Sequence, residues 1–409
     1  MKVLIIGGGA GGMMAALSAA EDKNNRVTLL ERQGRVGHKL LATGNGRCNL
    51  TNRNLTGENY HGAQPEFVRP ALARFGVDRT LAFFEALGLL TVTEPSGRVY
   101  PLSDQANSVV DTLRLAVAQA GVELVSGCDV IEVKKKARGY EAKDAAGQKY
   151  FGDKLIIACG GCAGKKLGGV HAGYRLLGML GHSCTELYPS LTQIKTDPTF
   201  VRALKGVRAD AALTLRVGGR TAAKTEGELQ FVEYGVSGPL AFELSRAAAT
   251  AGDGAELLIN FLRKYEKEDV LALLRRKRAQ FPDLHCEDFL AGTVQARLGR
   301  VILKRCGLDL TRQVCSLTEE ELAAITAMLQ YFSLKVEGVM GFDSAQVTAG
   351  GVPTAEFDPR TMESRLAPGV FAAGEVLDID GDCGGYNLQW AWASGYVAGK
   401  LGKPDGEET

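Results

Sequence analysis

The chain opens with an apolar run, Lys2 to Ile6, that passes directly into Gly7-x-Gly9-x-x-Gly12 and then into a helix-like stretch from Met13 to Glu21. This order predicts a buried parallel strand, a tight turn and a helix packed close to the sheet. Gly7 lets the chain turn off the strand, Gly9 lets a ligand approach the backbone, and Gly12 lets the helix lie near the strand. The helix N-terminus then presents unpaired N–H groups, which suits a pyrophosphate. A second apolar run, Arg26 to Leu30, ends at Glu31, nineteen residues beyond Gly12. Glu31 can accept hydrogen bonds from both adenosine ribose hydroxyls and would repel a 2′-phosphate, so the expected ligand is FAD or NAD rather than NADP. Ala10, Gly11 and Arg32 flank these residues and are expected to line the same site.

At 409 residues the chain is long for one core, and two or three domains are expected. Hydrophobic residues make up 45% and charged residues 23%, which fits an ordered globular protein rather than a disordered one. The formal net charge of +1 leaves no basic excess to concentrate nucleic acid or anionic lipid, so neither is an expected partner. No apolar stretch approaches the length of a membrane span, and the apolar part of Met1 to Ile6 is too short for a signal peptide. Nine scattered cysteines fit free thiols in a reducing cytoplasm better than a disulfide framework. The five histidines show no metal-ligand spacing, so no metal site is expected.

Beyond Glu31 the segment Gly34 to Asn52 is rich in Gly, Asn and Thr and contains Lys39 and Arg47, making it a second candidate ligand loop. Helical spacing returns over Phe67 to Leu90, with a break at Phe75-Gly76, and again over Ala106 to Ala120. Asp129 to Gly152 alternates like a small antiparallel meander, and Lys154 to Ala158 reads as a buried strand ending in Cys159-Gly160-Gly161, a further expected cofactor contact. From Pro189 to about Leu262, strand-like runs separated by Gly turns suggest a β-rich insert. Tyr265 to Tyr331 is dense in Glu, Lys, Arg and Leu and reads as helical. There Thr318 and Glu321 have capping-box spacing, and Leu322, Ile325, Leu329 and Phe332 share one face.

Near the far end, Val370 to Gly374 runs into Glu375 and then into Asp378 to Gly395, DIDGDCGGYNLQWAWASG. A strand, an acid and a glycine turn opening a helix repeat the logic of the N-terminus. FAD is long enough to need one grip for adenosine and pyrophosphate and another for ribityl and flavin, whereas NAD alone needs no second grip. Glu375 or Asp378 can bind ribityl hydroxyls. A helix starting near Gly384, Gly385 and Asn387 can stabilise the negative charge that develops on the flavin pyrimidine when it is reduced.

These strings are specific in combination. The chain resembles the BaiN/YhiN-like family of FAD-dependent oxidoreductases, within the flavoprotein class built like glutathione reductase. The resemblance covers nearly the whole chain and rests on GGGAGGMMAA (7–16), ATGNGRCNLTN (42–52), YGVSGP (234–239), GFDSAQVTAGGV (341–352) and AGEVLDIDGDCGGYNLQWAWASG (373–395). It implies an α/β fold: a Rossmann-like FAD-binding domain, with parallel sheet and β-meander, from residues 1–188 and 334–409. A β-rich substrate domain is expected at 189–263 with a return strand near 332–340, and a helical insert at 264–331. It further implies that Lys39, Gly44, Arg47, Cys48 and Asn49 lie along the flavin and pyrophosphate. Val130 would reach adenine through its backbone, and Gly374, Glu375, Gly385, Tyr386, Asn387 and Leu388 would hold the ribityl and isoalloxazine.

One departure from related chains is Ala158-Cys159-Gly160-Gly161-Cys162, where Ala-Thr-Gly-Gly is usual. A C-x-x-C pair beside flavin would suggest a disulfide reductase. This one ends a strand expected near the nucleotide half of FAD, with no cation beside Cys159 to stabilise a thiolate, so packing is the expected role. Tyr234 is the candidate catalytic acid, with His182 and Tyr188 weighed beside it. The expected activity is reduction of an electron-poor C=C bond of a small molecule, with NAD(P)H as electron donor. The alternatives are a flavin oxidase of a small amine that produces peroxide and, in another class, an RNA-modifying or RNA-binding flavoprotein. No second G-x-G-x-x-G is present to form a separate nicotinamide domain.

Overall fold

A computed structural model describes residues 1–252 and 254–403. The last six positions of the expected 334–409 segment lie outside the described residues. The chain divides into two compact units, one running from Met1 to Tyr188 and resuming at Gln346, the other Pro189–Ala345.

The first unit is built on a parallel sheet of five strands, in the order Val370–Ala372, Lys154–Ile157, Lys2–Ile6, Arg26–Glu31, Glu123–Ser126. Val3 to Ile6 are buried, as an apolar strand with neighbours on both edges and cover on both faces should be. Val370–Ala372, from the C-terminal part of the chain, therefore joins the sheet beside Lys154–Ile157. An antiparallel meander, Val130–Lys135, Tyr140–Asp144 and Lys149–Gly152, occupies the segment whose alternation predicted it. The expected break at Phe75-Gly76 separates helices Val68–Arg74 and Val77–Ala86.

The first helix, Ala10–Ala20, has almost no exposed face. It packs against the last helix, Tyr386–Gly399. A Cβ on Gly395 would overlap the carbonyl of Gly11, and one on Gly399 would lie against Ala15 and Ser18. The Ser18 hydroxyl also donates to the Tyr396 carbonyl at 2.8 Å. Small residues on both sides let the backbones approach as closely as they do.

The second unit is a closed antiparallel barrel of six strands. Its order is Ile194–Thr196, Gly235–Ser237, Arg220–Val232, Arg208–Val217, Ala255–Asn260 and Phe332–Val339, which returns to the first. Helices Lys267–Gln280, Ala296–Arg305 and Glu319–Gln330 share one apolar core with it, in which Phe231, Ile259, Leu274, Ile302, Ile325 and Phe332 are all buried. The Thr318 and Glu321 capping box forms as its spacing predicted. The return strand expected near 332–340 is Phe332–Val339 of this barrel, and the second unit runs on to Ala345. The 264–331 helices, expected as a separate insert, complete the barrel's core because each buries one apolar face that the barrel wall must cover. Among the described residues, no helix is long and apolar enough to cross a membrane.

The contact between first and last helices generates a prediction. Gly395→Ala places a methyl group on the backbone of Gly11 and should cost about 1–3 kcal/mol. Thermal denaturation should show a lowered Tm, and an unchanged Tm would contradict the packing described.

Candidate cofactor site

Gly7 has φ +108°, a conformation that L side chains rarely adopt, and a Cβ there would also overlap the Ala158 carbonyl. The strand turns there, and the Gly7 N–H donates to the Leu30 carbonyl at 2.8 Å. Gly12 is equally restricted, because a Cβ would overlap the Gly7 carbonyl. Gly9 differs: it is the N-cap residue of Ala10–Ala20, makes no side-chain cap, and a Cβ there would meet nothing within 4 Å. The first intrahelical bond returned to it comes from Met13 N at 3.0 Å. The N–H groups of Ala10, Gly11 and Gly12 therefore lack intrahelical acceptors, beside a face left open at Gly9.

Glu31 ends the second strand beside this turn. Its Oε2 accepts from Gly8 N at 2.6 Å and its Oε1 from Gln33 N at 2.6 Å, so two backbone donors fix the carboxylate. Gly8 sat at an unassigned position of the motif, and only the run of three glycines hinted at its closeness to Glu31. Arg32 donates through Nη2 to the Gly168 carbonyl at 3.1 Å. Val130 starts its meander strand two residues after Cys128, whose N–H donates to the Glu31 carbonyl at 2.9 Å. The adenosine-side residues named from the sequence thus lie together.

The other end of the chain joins them through Glu375. Lys39 Nζ sits 2.7 Å from Glu375 Oε2, and Glu375 Oε1 accepts from Thr348 N at 2.9 Å. Gly161 packs against this pair, since a Cβ there would come within 2.5 Å of Glu375 Oε1, while Gly160 faces open space. Gly374, at φ +75°, donates its N–H to the Ser394 hydroxyl at 2.9 Å and accepts from Trp390 Nε1 at 3.2 Å. Thr348 was missed from sequence, although it stands in the string GFDSAQVTAGGV.

The last helix begins at Gly385, φ +99°, again without a side-chain cap. Asn387 and Leu388 lie in the first turn, where N–H groups have no intrahelical acceptor, and Gln389 N is the first to return to Gly385 O, at 3.0 Å. A Cβ on Gly385 would stand 2.7 Å from the Thr51 carbonyl and 2.9 Å from Asn49 Oδ1, a buried acceptor with no partner. Gln389, which sequence reading also missed, fixes this junction: it accepts from Thr51 Oγ1 at 2.7 Å and Thr80 Oγ1 at 3.0 Å and donates to the Phe75 carbonyl at 2.8 Å. The Asn387 side chain is braced in a reciprocal pair with the Gly381 backbone at 2.8 Å, leaving its N–H as the group available to a ligand.

The two helix starts are related by the packing of their helices. Gly11 lies against Ala391 and Gly395, and Ala15 lies against Gly399, so the helices run in the same direction. The last helix then starts roughly six residues ahead of the first, about 9 Å along the axis at the α-helical rise. Two uncapped positive ends, staggered and joined by the Lys39 and Glu375 pair, fit a dinucleotide that extends from a pyrophosphate to an electron-accepting ring.

Several expected contacts have other partners. The Arg47 guanidinium pairs with Asp104 and with Glu94 at 2.9 Å and stacks on Tyr100 at 3.8 Å, so two carboxylates already neutralise it. Asp378 is buried and accepts from Ala63 N at 3.1 Å, which leaves Glu375 as the carboxylate turned to Lys39. Gly44 has φ +55° and Cys48 φ +62°, bends that carry the loop to Asn49. Burial pushes the Cys48 thiol up to about 12 and the Cys159 thiol up to about 12, and burial also raises Cys162. All three are free thiols poorly suited to attack or exchange. His182 bonds Glu356 at 2.7 Å and Ser364 at 2.9 Å and stacks on Phe357, a structural arrangement that occupies both ring nitrogens. Trp390 and Trp392 are buried in the core. Tyr234 belongs to the second unit, on the turn between strands Arg220–Val232 and Gly235–Ser237, and is 38% exposed.

A family model described as the HI0933-like protein Rossmann domain matches residues 1–401. The chain is 39% identical over 403 residues to a protein of Clostridium scindens named 3-dehydro-bile acid delta(4,6)-reductase, covering 98% of both chains. It is 29% identical over 378 residues to a ribosomal RNA dihydrouridine synthase of Escherichia coli, covering 92% of each. Among solved structures, a 3-ketosteroid-delta4-(5alpha)-dehydrogenase from Rhodococcus jostii aligns over 98% of this chain and 95% of its own at 16% identity and a TM-score of 0.48.

Gly9 and Gly12 separate folding from binding. Gly9→Ala should fold normally, because its methyl group meets no protein atom, yet purify with little flavin because that methyl occupies the open face at the helix start. Gly12→Ala should lose stability itself. Circular dichroism and the flavin absorbance ratio check both, and a flavin-replete Gly9→Ala would contradict the assignment. Replacing Cys159 and Cys162 together by Ser should leave turnover within about twofold, given thiols this far from ionisation at neutral pH.

Proposed function

The chain belongs to the HI0933-like family and is an FAD-dependent oxidoreductase, and from that premise we propose that it reduces a carbon–carbon double bond conjugated to a carbonyl, with NAD(P)H as electron donor. The observation that carries this reading is the identity shared along 98% of both chains with a protein named as a bile acid delta(4,6)-reductase. Bound FAD supplies a hydride acceptor and donor at N5. The protein's own contribution is to hold that cofactor at two places and to favour its reduced, negatively charged form.

The N–H groups of Ala10, Gly11 and Gly12 bind the pyrophosphate, and Glu31 takes the adenosine ribose. Glu375, oriented by Lys39 and by Thr348 N, takes ribityl hydroxyls. The start of the Tyr386–Gly399 helix faces the pyrimidine edge, where its dipole and N–H groups stabilise the charge gained on reduction. Reduction of the double bond takes one hydride at the β carbon and one proton at the α carbon, with NAD(P)H oxidised to NAD(P)⁺. We assign the proton to Tyr234, which is 38% exposed. A site in the cytoplasm agrees with nine cysteines that are all free.

A second reading, an RNA substrate, is favoured by the dihydrouridine synthase relative, whose product name also denotes a saturated C=C bond next to a carbonyl. The net charge of +1 and the lower identity favour the small molecule. Retention on ribosomal RNA that weakens steeply with salt would select the RNA reading, and its absence the enone.

Anaerobic addition of NADH or NADPH should bleach the flavin. No bleaching with either, together with peroxide formation from amines in air, would replace the reductase with an amine oxidase. Tyr234→Phe should lower kcat by about 10²-fold while leaving the bleaching rate unchanged, as expected for loss of a general acid. An unaltered kcat would remove Tyr234 from the mechanism.

A further inference from the structure

The second unit contains a cation that the flavin chemistry does not use. Arg305 ends the helix Ala296–Arg305, and its guanidinium lies over the rings of Phe200 at 4.9 Å and Phe332 at 4.4 Å. Its Nη2 donates to the Ser333 hydroxyl at 3.2 Å, whereas Nη1 is buried and has no partner. Among the described residues no carboxylate pairs with it. Burial lowers its pKa, which marks a charge held in a poorly solvated place. A charged donor left unmatched at such a site normally costs stability.

The side chain lines a cleft with Asp197, Phe200, Glu256, Ser333 and Lys335. Neither acid in this cleft lies within ion-pair distance of Arg305, although the Asp197 charge acts on it through space. Asp197 Oδ1 accepts from the N–H of Thr199 at 2.9 Å and from its hydroxyl at 2.5 Å. Glu256 and Lys335 stand opposite each other across paired strands. What remains is a guanidinium whose Nη1 lacks a hydrogen-bond acceptor, beside the half-buried ring of Phe200.

We propose that this cleft binds a small organic carboxylate, whose charge takes the Arg305 guanidinium and whose carbon body lies on Phe200. A planar guanidinium held between two rings matches a carboxylate's two oxygens. A monoanion fits better than a phosphate dianion, because Asp197 and Glu256 stand in the same cleft and repel a second negative charge. The site lies wholly within the second unit and does not depend on bound flavin.

The test is thermal denaturation of the full-length flavin-loaded protein titrated with octanoate, with octanamide as the uncharged control. Octanoate should raise the Tm in a saturable way and octanamide should not. Arg305→Met should melt no lower than the natural protein without ligand, since it removes an unpaired buried charge. The same variant should bind octanoate about tenfold more weakly or worse. Lys335→Gln, at an exposed position, should weaken binding about threefold and gives the same readout if Arg305→Met fails to accumulate. No saturable rise with octanoate, an equal rise with octanamide, or undiminished octanoate binding in both variants would overturn the site.

Discussion

The backbone contact between the first and last helices is the constraint on which the cofactor site depends. Because Gly11, Gly395 and Gly399 carry no side chain, helices that begin almost four hundred residues apart lie against one another and run the same way. Their positive ends are thereby offset along one line instead of pointing apart. The loop from Lys39 to Asn52 completes the arrangement: Lys39 meets Glu375 at one of its ends, and Asn49 and Thr51 meet Gly385 at the other. A dinucleotide site split between chain ends needs such a lock, because neither half alone has a complete set of donors.

Electrostatics then narrow the chemistry. Positive potential at the site comes from helix ends and Lys39, while Arg47 is spent on Glu94, Asp104 and the Tyr100 ring. The thiols nearest the glycine turns are buried and hard to ionise, which argues against disulfide exchange. The same physics separates Glu31 from Asp378: both are acids near glycine turns, but one is held by two backbone donors at the turn and the other is buried against Ala63.

Much of the first unit was legible in the sequence because its signals are local. Strand, glycine turn, helix, strand and acid follow one another within the first 31 residues, and the Phe75-Gly76 break needs only neighbours to be read, as does the Thr318 capping box of the second unit. What escaped depends on distant partners. The carboxylate partners of Arg47, Glu94 and Asp104, lie far along the chain. Gln389 and Thr348 looked like ordinary helix and strand residues until Thr51, Thr80 and Glu375 were placed beside them. The barrel was visible as strands but not as a closed ring, because closure rests on pairing Ile194–Thr196 with Phe332–Val339 across the intervening helices. Those helices in turn read as separate until their apolar faces were seen to share the barrel's core.

The most direct measurement of the central claim is an anaerobic oxidative half-reaction: enzyme reduced by NAD(P)H, freed of excess nucleotide and mixed with a 3-keto steroid carrying a conjugated C4=C5 bond. The yellow flavin spectrum should return without oxygen, and one saturated ketone should form per flavin. A flavin that stays reduced in the presence of that ketone and of other enones, and reoxidises only when air is admitted, would contradict it.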